Sequence, residues 1–336
     1  MIDFDLADVL YYSDDPETVH NTVDGHGEGV LFDFDIVPQQ QTRFLFYHVN
    51  GNPTERFILV RLFNTTARVQ TVEYVASLPP GSSQYINVGH AATASFVRAL
   101  VNQDWRGVNV APNDNFVVVS TALTRSELAV GVVEFRQASG PIRCSLLVCN
   151  DLSTVAAVAR GGRTFKADGK FRRGKFALAP LRHPLLVNYD TSQGPIPVKI
   201  GIRQVTNEQS KPDGSPGQAL KGEYGVFTHL SAALTNSDPI PKKVALYESA
   251  RGGASTATYV TDGRVVESGA MRSPNSPPRY KVATYNLAPH QMTTTSVITI
   301  PDAGSSSPIE VTVDVDDDSA DPGAVGSIVT TGPTVG

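Results

Sequence analysis

The chain has 336 residues, 40% of them hydrophobic, with 28 Gly, 23 Pro and a formal net charge of -5. That length suits two domains, each large enough to bury its own core, and the abundance of Thr, Ser, Val, Gly and Pro favours strands and reversals over a helical bundle. The mild acidity supplies no global attraction for nucleic acid or an anionic membrane, so nucleic acid is not favoured as a partner and any polyanion binding must be local.

From the N-terminus, Ile2, Phe4 and Leu6 alternate with Asp3, Asp5 and Ala7, and Phe32, Phe34 and Ile36 alternate with Asp33 and Asp35. Both runs read as half-buried strands with an acidic outer face. Between them lies a loop from His20 to Gly29. A strand over Arg43 to Val49 is followed by Asn50-Gly51-Asn52-Pro53. Next comes a strand–Asn–strand unit: Phe57 to Leu62, then Asn64-Thr65-Thr66, then Val69 to Val75. A 3.6-residue apolar period predicts a helix over Ala91 to Val101, a lid on a sandwich edge or end. Strands are expected at Phe116 to Thr121, Leu128 to Phe135 and Ile142 to Cys149, and a short second helix at Leu152 to Ala159 before Gly161-Gly162.

From Arg160 to Arg182 the composition changes. Arg160, Arg163, Lys166, Lys170, Arg172, Arg173, Lys175 and Arg182 face one acid, Asp168. This run reads as an interdomain connector, and its charge offers a dock for a polyanion, although a charged linker is ordinarily just solvated. A second series of strands follows, in which Leu230 to Leu234, Asn236-Ser237-Asp238 and Val244 to Tyr247 repeat the strand–Asn–strand unit. The long loop Asn207 to Gly222 has the length of a functional insertion. The last strand, Ile309 to Val315, leads into an acidic run and a Gly, Ser, Thr and Val tail, the composition of a flexible segment.

The expected architecture is therefore all-β: two tandem β-sandwiches, Ig-like or jelly-roll-like, with one or two short helices. Residues 1–159 form the first sandwich, 160–182 the connector, 183–316 the second sandwich and 317–336 the tail. No apolar run approaches the roughly 20 residues that span a bilayer. The start Met1-Ile2-Asp3-Phe4-Asp5-Leu6 lacks the basic end and apolar core of a signal peptide. Cys144 and Cys149 lie five steps apart in one strand, too far and on opposite faces, and so read as buried thiols.

Few residue groups carry recognisable chemistry. His20, His26, Glu28 and His48 offer imidazole and carboxylate ligands of the kind zinc takes, though the spacing fits no standard motif and hydrogen-bonded histidines are the plainer reading. Asp314, Asp316, Asp317, Asp318 and Asp321 offer oxygen ligands for calcium, or else a solvated run that keeps an edge strand from pairing. Asn64 opens an Asn-Thr-Thr glycosylation pattern, but a turn role explains both it and Asn236. No nucleophile elbow, phosphate loop, zinc-protease helix or other cofactor motif is found. Carboxylates such as Glu127 and Glu134 leave a glycosidase open. An exposed row of Tyr11, Tyr12, Tyr47 and Trp105 would mark a carbohydrate-binding face, while core packing would use them up.

Four phrases, Leu10-Tyr11-Tyr12-Ser13-Asp14-Asp15-Pro16-Glu17, Phe46-Tyr47-His48-Val49-Asn50-Gly51, Gly222-Glu223-Tyr224-Gly225-Val226 and Gly304-Ser305-Ser306-Ser307-Pro308, resemble a family of secreted two-domain bacterial β proteins that is itself uncharacterised. The resemblance implies export and two β domains. The leading expectation is a non-enzymatic extracytoplasmic structural or binding protein, a subunit of a surface assembly that associates with itself or with another surface protein. The alternatives are a polysaccharide-active hydrolase or carbohydrate-binding protein, and a virion structural protein.

Overall fold

In the computed structural model, the described residues are 6–20, 27–203, 205–206, 218–271 and 279–316. His26, Asp317, Asp318, Asp321, the tail, most of the 207–222 loop and the start of the expected first strand lie outside them. The first half contains β1 (Val9–Ser13), β2 (Thr18–Val19), β3 (Gly29–Ile36), β4 (Thr42–Asn50), β5 (Arg56–Phe63) and β6 (Gln70–Ser77). After helix α1 (Tyr85–Val101) come β7 (Arg106–Val110), β8 (Asn115–Leu123), β9 (Leu128–Arg136), β10 (Ile142–Cys149), α2 (Val155–Arg160) and β11 (Arg173–Ala177). The second half contains β12 (Leu185–Asp190), β13 (Ile196–Ile200), β14 (Val205–Thr206), β15 (Ala219–Leu220), β16 (Thr228–Thr235) and β17 (Lys242–Ala250). It ends with β18 (Ala257–Thr261), β19 (Arg264–Glu267), β20 (Tyr280–Leu287), β21 (Met292–Pro301) and β22 (Ile309–Val315).

The fold is all-β, and its two sandwiches share one topology. In the first, a sheet ordered β11-β1-β4-β9-β6-β7 faces β3-β10-β5-β8; in the second, β12-β16-β21-β18-β19 faces β13-β22-β17-β20. Each half starts with a strand parallel to its neighbour, β1 on β4 and β12 on β16, while the remaining pairs of the matching strands are antiparallel. Even a register shift recurs, between Val60 and Arg61 in β5 and between Leu246 and Tyr247 in β17. Alternation along the strands fills each interior: Phe44, Phe46, Val60 and Leu146 in the first, Leu230, Leu246, Tyr259 and Val311 in the second.

Two expectations need correction. The topological match for Asn236 is Asn50, at the end of β4, rather than Asn64. Asn50 Nδ2 donates to Thr54 O (3.0 Å) and Leu123 O (2.8 Å), and its Oδ1 accepts from Asn52 N. Asn236 does the same with Ile240 O (2.9 Å), Leu287 O (3.3 Å) and Asp238 N. Asn64 is a third use of the device one crossover later, on Arg68 O, Val110 O and Thr66 N. Its amide nitrogen is committed to two carbonyls and the residue is fully buried, so a glycan has no place on it in the folded chain. The run expected to be a connector also supplies a strand: Arg173–Ala177 pairs with β1 along its whole length. Gly174 and Phe176 turn to one face and the charges to the other, a period-2 pattern hidden by reading the basic residues as solvated.

Helix α1 starts six residues earlier than the periodicity predicted. Gln84 makes no side-chain cap and the first turn has no acid, so packing holds it in place: Val88, Ala92, Phe96, Val97 and Leu100 are buried, and the helix lies against β6 and β9 on one side and β18 and β19 on the other. It is therefore an interdomain wedge rather than a lid. Its second turn contains Gly89, where an added Cβ would fall 1.5 Å from Ala303 O.

Asn50→Ala and Asn236→Ala are each expected to destabilise the fold by about 2–3 kcal/mol, because each leaves buried carbonyls without donors. Urea unfolding measures this, and a loss below about 0.5 kcal/mol would refute the crossover role.

Candidate functional site

The four phrases that carry the resemblance meet at the junction of the two halves. Gly225, with φ +76, packs so tightly on Leu10 and Leu45 that a Cβ there would lie 3.2 Å from both. Its carbonyl accepts from Arg43 Nη1 (2.9 Å). Arg43, on β4, is fully buried; its Nε donates to Glu134 Oε2 (2.7 Å), and its guanidinium lies over the rings of Phe227 (4.6 Å) and Phe96 (5.6 Å). The β21–β22 loop completes the contact. The Tyr224 hydroxyl donates to Ser305 O, Ser307 Oγ donates to Gly222 O (3.3 Å), and Gly304 sits against Tyr47 and Tyr85.

Two polar groupings flank this seam. On the outer side, Tyr47, Tyr85 and Tyr224 are half-buried beside Asp14 and Glu17. Burial, reinforced by the charges of Glu17 and Asp15, pushes the Asp14 carboxyl up to about 8, and burial raises Glu17 too. Asp14 Oδ1 has no hydrogen-bond partner. Asp15 instead accepts from the backbone of Asp168 and Gly169. A protonated Asp14 can donate to a ligand near neutral pH, and three phenols beside it suit a hydroxyl-rich partner.

The second grouping pins α1 to the second sandwich. His90 Nδ1 lies 2.6 Å from Asp302 Oδ2 and Nε2 lies 3.1 Å from Glu267 Oε2; Arg98 also pairs with Glu267. Both ring nitrogens face carboxylates, so both carry protons. Burial works against that charge, but the hydrogen bond and charge of Asp302 outweigh it and the His90 pKa rises. Nearby Glu248 is fully buried, neither of its oxygens has a hydrogen-bond partner, and burial pushes its carboxyl up to about 8.

The residues singled out in the sequence go elsewhere. His48 is buried between Ser13 Oγ (3.0 Å) and Pro16 O (2.8 Å). Because Pro16 O can only accept, Nδ1 holds the proton and Nε2 accepts from Ser13. Burial drives its pKa down to about 4. Glu28 accepts from Asn150 N, and the His20 ring packs against Gly51. Asp314 pairs with Arg279 (3.4 Å), and Asp316 with Tyr247 (2.7 Å) and Lys281 (3.0 Å). Among the described residues, no group of three or more His, Cys, Asp or Glu is arranged to hold a metal ion. Within the basic run, Arg172 donates to Ala219 O and Arg182 to Leu6 O and Ala7 O, and Arg173 lies over Phe32. Arg160, Lys166 and Lys170 are exposed. Tyr11 stacks on Phe34 (3.9 Å), Tyr12 is buried, and Trp105 lies beneath Arg136 (3.9 Å), so they form no exposed row with Tyr47. Glu127 caps its own turn while Glu134 holds Arg43, so the two are not a working pair. Tyr85, His90 and Glu248 carry no local signature and emerge only from packing; Tyr224 was visible within its phrase.

No family model matches the chain, and no curated protein matches it. Among solved structures it is similar to Fet3p, a multicopper oxidase that functions in iron import, with 9% identity, coverage of 79% of this chain and 51% of that one, and a TM-score of 0.14. It is also similar to Lac15 from a marine microbial metagenome (11% identity, 89% and 60% coverage, TM-score 0.16). A third is a multicopper oxidase from Campylobacter jejuni, a metallo-oxidase (10% identity, 78% and 48% coverage, TM-score 0.12). The chain spans about half the length of these proteins, and scores this low bear on neither fold nor chemistry.

The pKa shifts of Glu248 and His90 set a pH dependence. Both folded values are raised, so their stabilising contribution is complete below the unfolded values and is lost as pH rises through the folded ones. For Glu248 the window runs from the ordinary carboxylate range up to about 8. Thermal unfolding from pH 5 to 9 is expected to show falling stability that Glu248→Gln flattens between pH 5 and about 8 and His90→Gln flattens above the ordinary imidazole value. Slopes unchanged in both variants would contradict the assignment.

Proposed function

We propose that the chain is a non-enzymatic structural or binding protein of an extracytoplasmic surface, one that works as a subunit associating with its own kind through the segment after β22. The observation that carries this reading is the use to which the ionisable groups are put: His48, Arg43, Glu134, His90, Asp302, Asp314 and Asp316 all serve to hold strands or halves together. The bacterial resemblance supports export. Among the described residues, no helix is long and apolar enough to cross a membrane. Truncating the chain after Asp318 is expected to convert oligomers to monomers in light scattering, and a truncated chain that assembles like the full one would sink the assembly reading.

A second reading, a polysaccharide-active or carbohydrate-binding protein, is favoured by the face formed by Asp14, Glu17, Tyr47 and Tyr224. Soluble β-glucan, xylan and chitin oligosaccharides are the probes. Asp14→Asn is expected to weaken any binding about tenfold, and an equal response in the variant would remove this face from consideration. A virion structural protein shares the assembly expectation of the first reading.

A further inference from the structure

The geometry points to a notch in the second sandwich, beside the first half of β21, as the seat for residues 322–329 of this chain, added there as a short strand. This goes beyond the assembly reading, which names the tail without placing it. β21 outruns one of its neighbours: β16 pairs with it from Met292 to Thr299, whereas β18 stops where Thr261 meets Val297. The hairpin turn Asp262-Gly263, with φ +50 and +73, then carries the chain away into β19. Among the described residues no strand pairs with residues 292–296 on that side, and a cleft of about 570 Å³ opens there between the sheet and the end of α1. Thr293 and Thr295 point to one face of the strand and Thr294 and Ser296 to the other, yet all four line the cleft, so it wraps the open strand edge itself.

The first sandwich shows what such a notch holds. At the matched crossovers Asn50 N donates to Glu127 O and Asn236 N to Gln291 O, which sets Leu128 of β9 level with Met292 of β21. β6 leaves β9 at the pair Ser77 and Val132, one position from where β18 leaves β21. There the chain does not turn back: Leu78-Pro79-Pro80-Gly81-Ser82 runs on along the β9 edge. Leu128 N donates to Ser82 O (3.0 Å) and Ser82 N to Leu128 O (3.4 Å), and a Cβ on Gly81 would strike Leu123. An extended segment of small and proline residues fills one copy of the notch, while the tight hairpin leaves the other copy open. An added strand gains main-chain hydrogen bonds at such an edge.

The lining of the open copy selects a neutral occupant. Val101, Val260 and Ile298 form an apolar wall, Thr293, Thr294, Thr295, Ser296 and Tyr285 present hydroxyls, and Asp262 brings the single carboxylate; no Lys or Arg lines the cleft among the described residues. Thr295 and Thr261 are used on the Tyr285 hydroxyl (2.7 and 3.2 Å). Among the described residues, the side chains of Thr293, Thr294, Ser296 and Asp262 have no hydrogen-bond or ion-pair partner and are left for an incoming chain. Residues 322–336 contain no charged side chain, only Gly, Ala, Ser, Thr, Pro, Val and Ile. In a strand Val325 and Val329 fall on the same side and can meet the apolar wall. The tail also starts at the right end of the molecule. Val315, Val244 and Tyr285 stand abreast on β22, β17 and β20, which puts the exit of the tail about 10 Å from the strand that carries Tyr285. At about 3.3 Å per residue, residues 317–321 span roughly 16 Å more. A tether that short favours the chain's own tail over a neighbour's. Within an assembly, the same contact is met by exchange between copies.

Amide hydrogen exchange provides the test, on the full chain and on the chain truncated after Asp318, over a dilution series followed by sedimentation velocity. Truncation is expected to speed exchange across residues 292–296 about tenfold at every concentration, and to leave residues 128–131 of the filled notch unchanged. A synthetic peptide of residues 319–336 is expected to restore the protection. The same peptide with Val325→Asp and Val329→Asp is expected to fail, since it sets carboxylates against the apolar wall and Asp262. Equal exchange in the two chains would overturn the seat; if truncation nonetheless dissolves oligomers, the assembly reading stands without it. Lost protection with oligomers intact supports the seat and counts against the assembly reading. Protection that appears only at concentrations where the chain self-associates would refute seating on its own sandwich.

Discussion

The structure depends on one buried cation. A guanidinium removed from water at full burial costs several kcal/mol unless its donors are met and its charge is balanced. Arg43 meets those terms only when both halves are in place: Glu134 comes from the strand beside it, but Gly225 O and the Phe227 ring come from the second half and Phe96 from the wedge helix. Separating the sandwiches would leave a carboxylate and a guanidinium in an apolar seam with their remaining partners gone. The left-handed Gly225 and the Cβ-free face at Gly89 follow from the same constraint, since both let backbone approach where a side chain would hold the halves apart.

Given a fixed junction, the duplicated topology separates framework from specialisation. Matching strands, a matching register shift and the Asn crossovers appear in both halves and carry no chemistry beyond folding. Among the described residues, the first half has features without a counterpart in the second, among them the wedge helix, β11 with its basic approach, α2, and the acid–tyrosine face beside Asp14. The additions at the junction set the two sandwiches' distinguishing surface there.

Much of the framework was legible in the sequence because it obeys period 2. Ile142 to Cys149 and Ile309 to Val315 were read at the bounds they have. β1 was missed because Val9-Leu10-Tyr11-Tyr12-Ser13 is buried on both faces and so shows no alternation, and β11 because its apolar face contains only Gly174 and Phe176. The start of α1 was lost for a related reason: Gly89 and His90 look like helix breakers or surface residues until Ala303 and Asp302 stand opposite them. The site was less legible still. Its members come from segments spread along nearly the whole chain, from Asp14 to Ser307, and each is ordinary in its own neighbourhood. The pairing of Asn236 with Asn64 failed because similar local chemistry stood at two crossovers, and only strand order tells them apart.

The acid–tyrosine face also bears on the choice between binding and catalysis. Carboxyl pairs that work as acid and base need environments that drive their pKa values apart, one held protonated and the other ionised. Burial instead raises both Asp14 and Glu17, helped at Asp14 by the charges of Glu17 and Asp15 and at Glu17 by that of Asp168, while backbone amides engage Asp15 and leave it no free role. A face whose carboxyls move in the same direction tends to shed charge rather than divide it. With half-buried phenols alongside, a protonated Asp14 gives the face a hydrogen-bond donor near pH 7, and such a surface suits a polar, hydroxyl-rich partner.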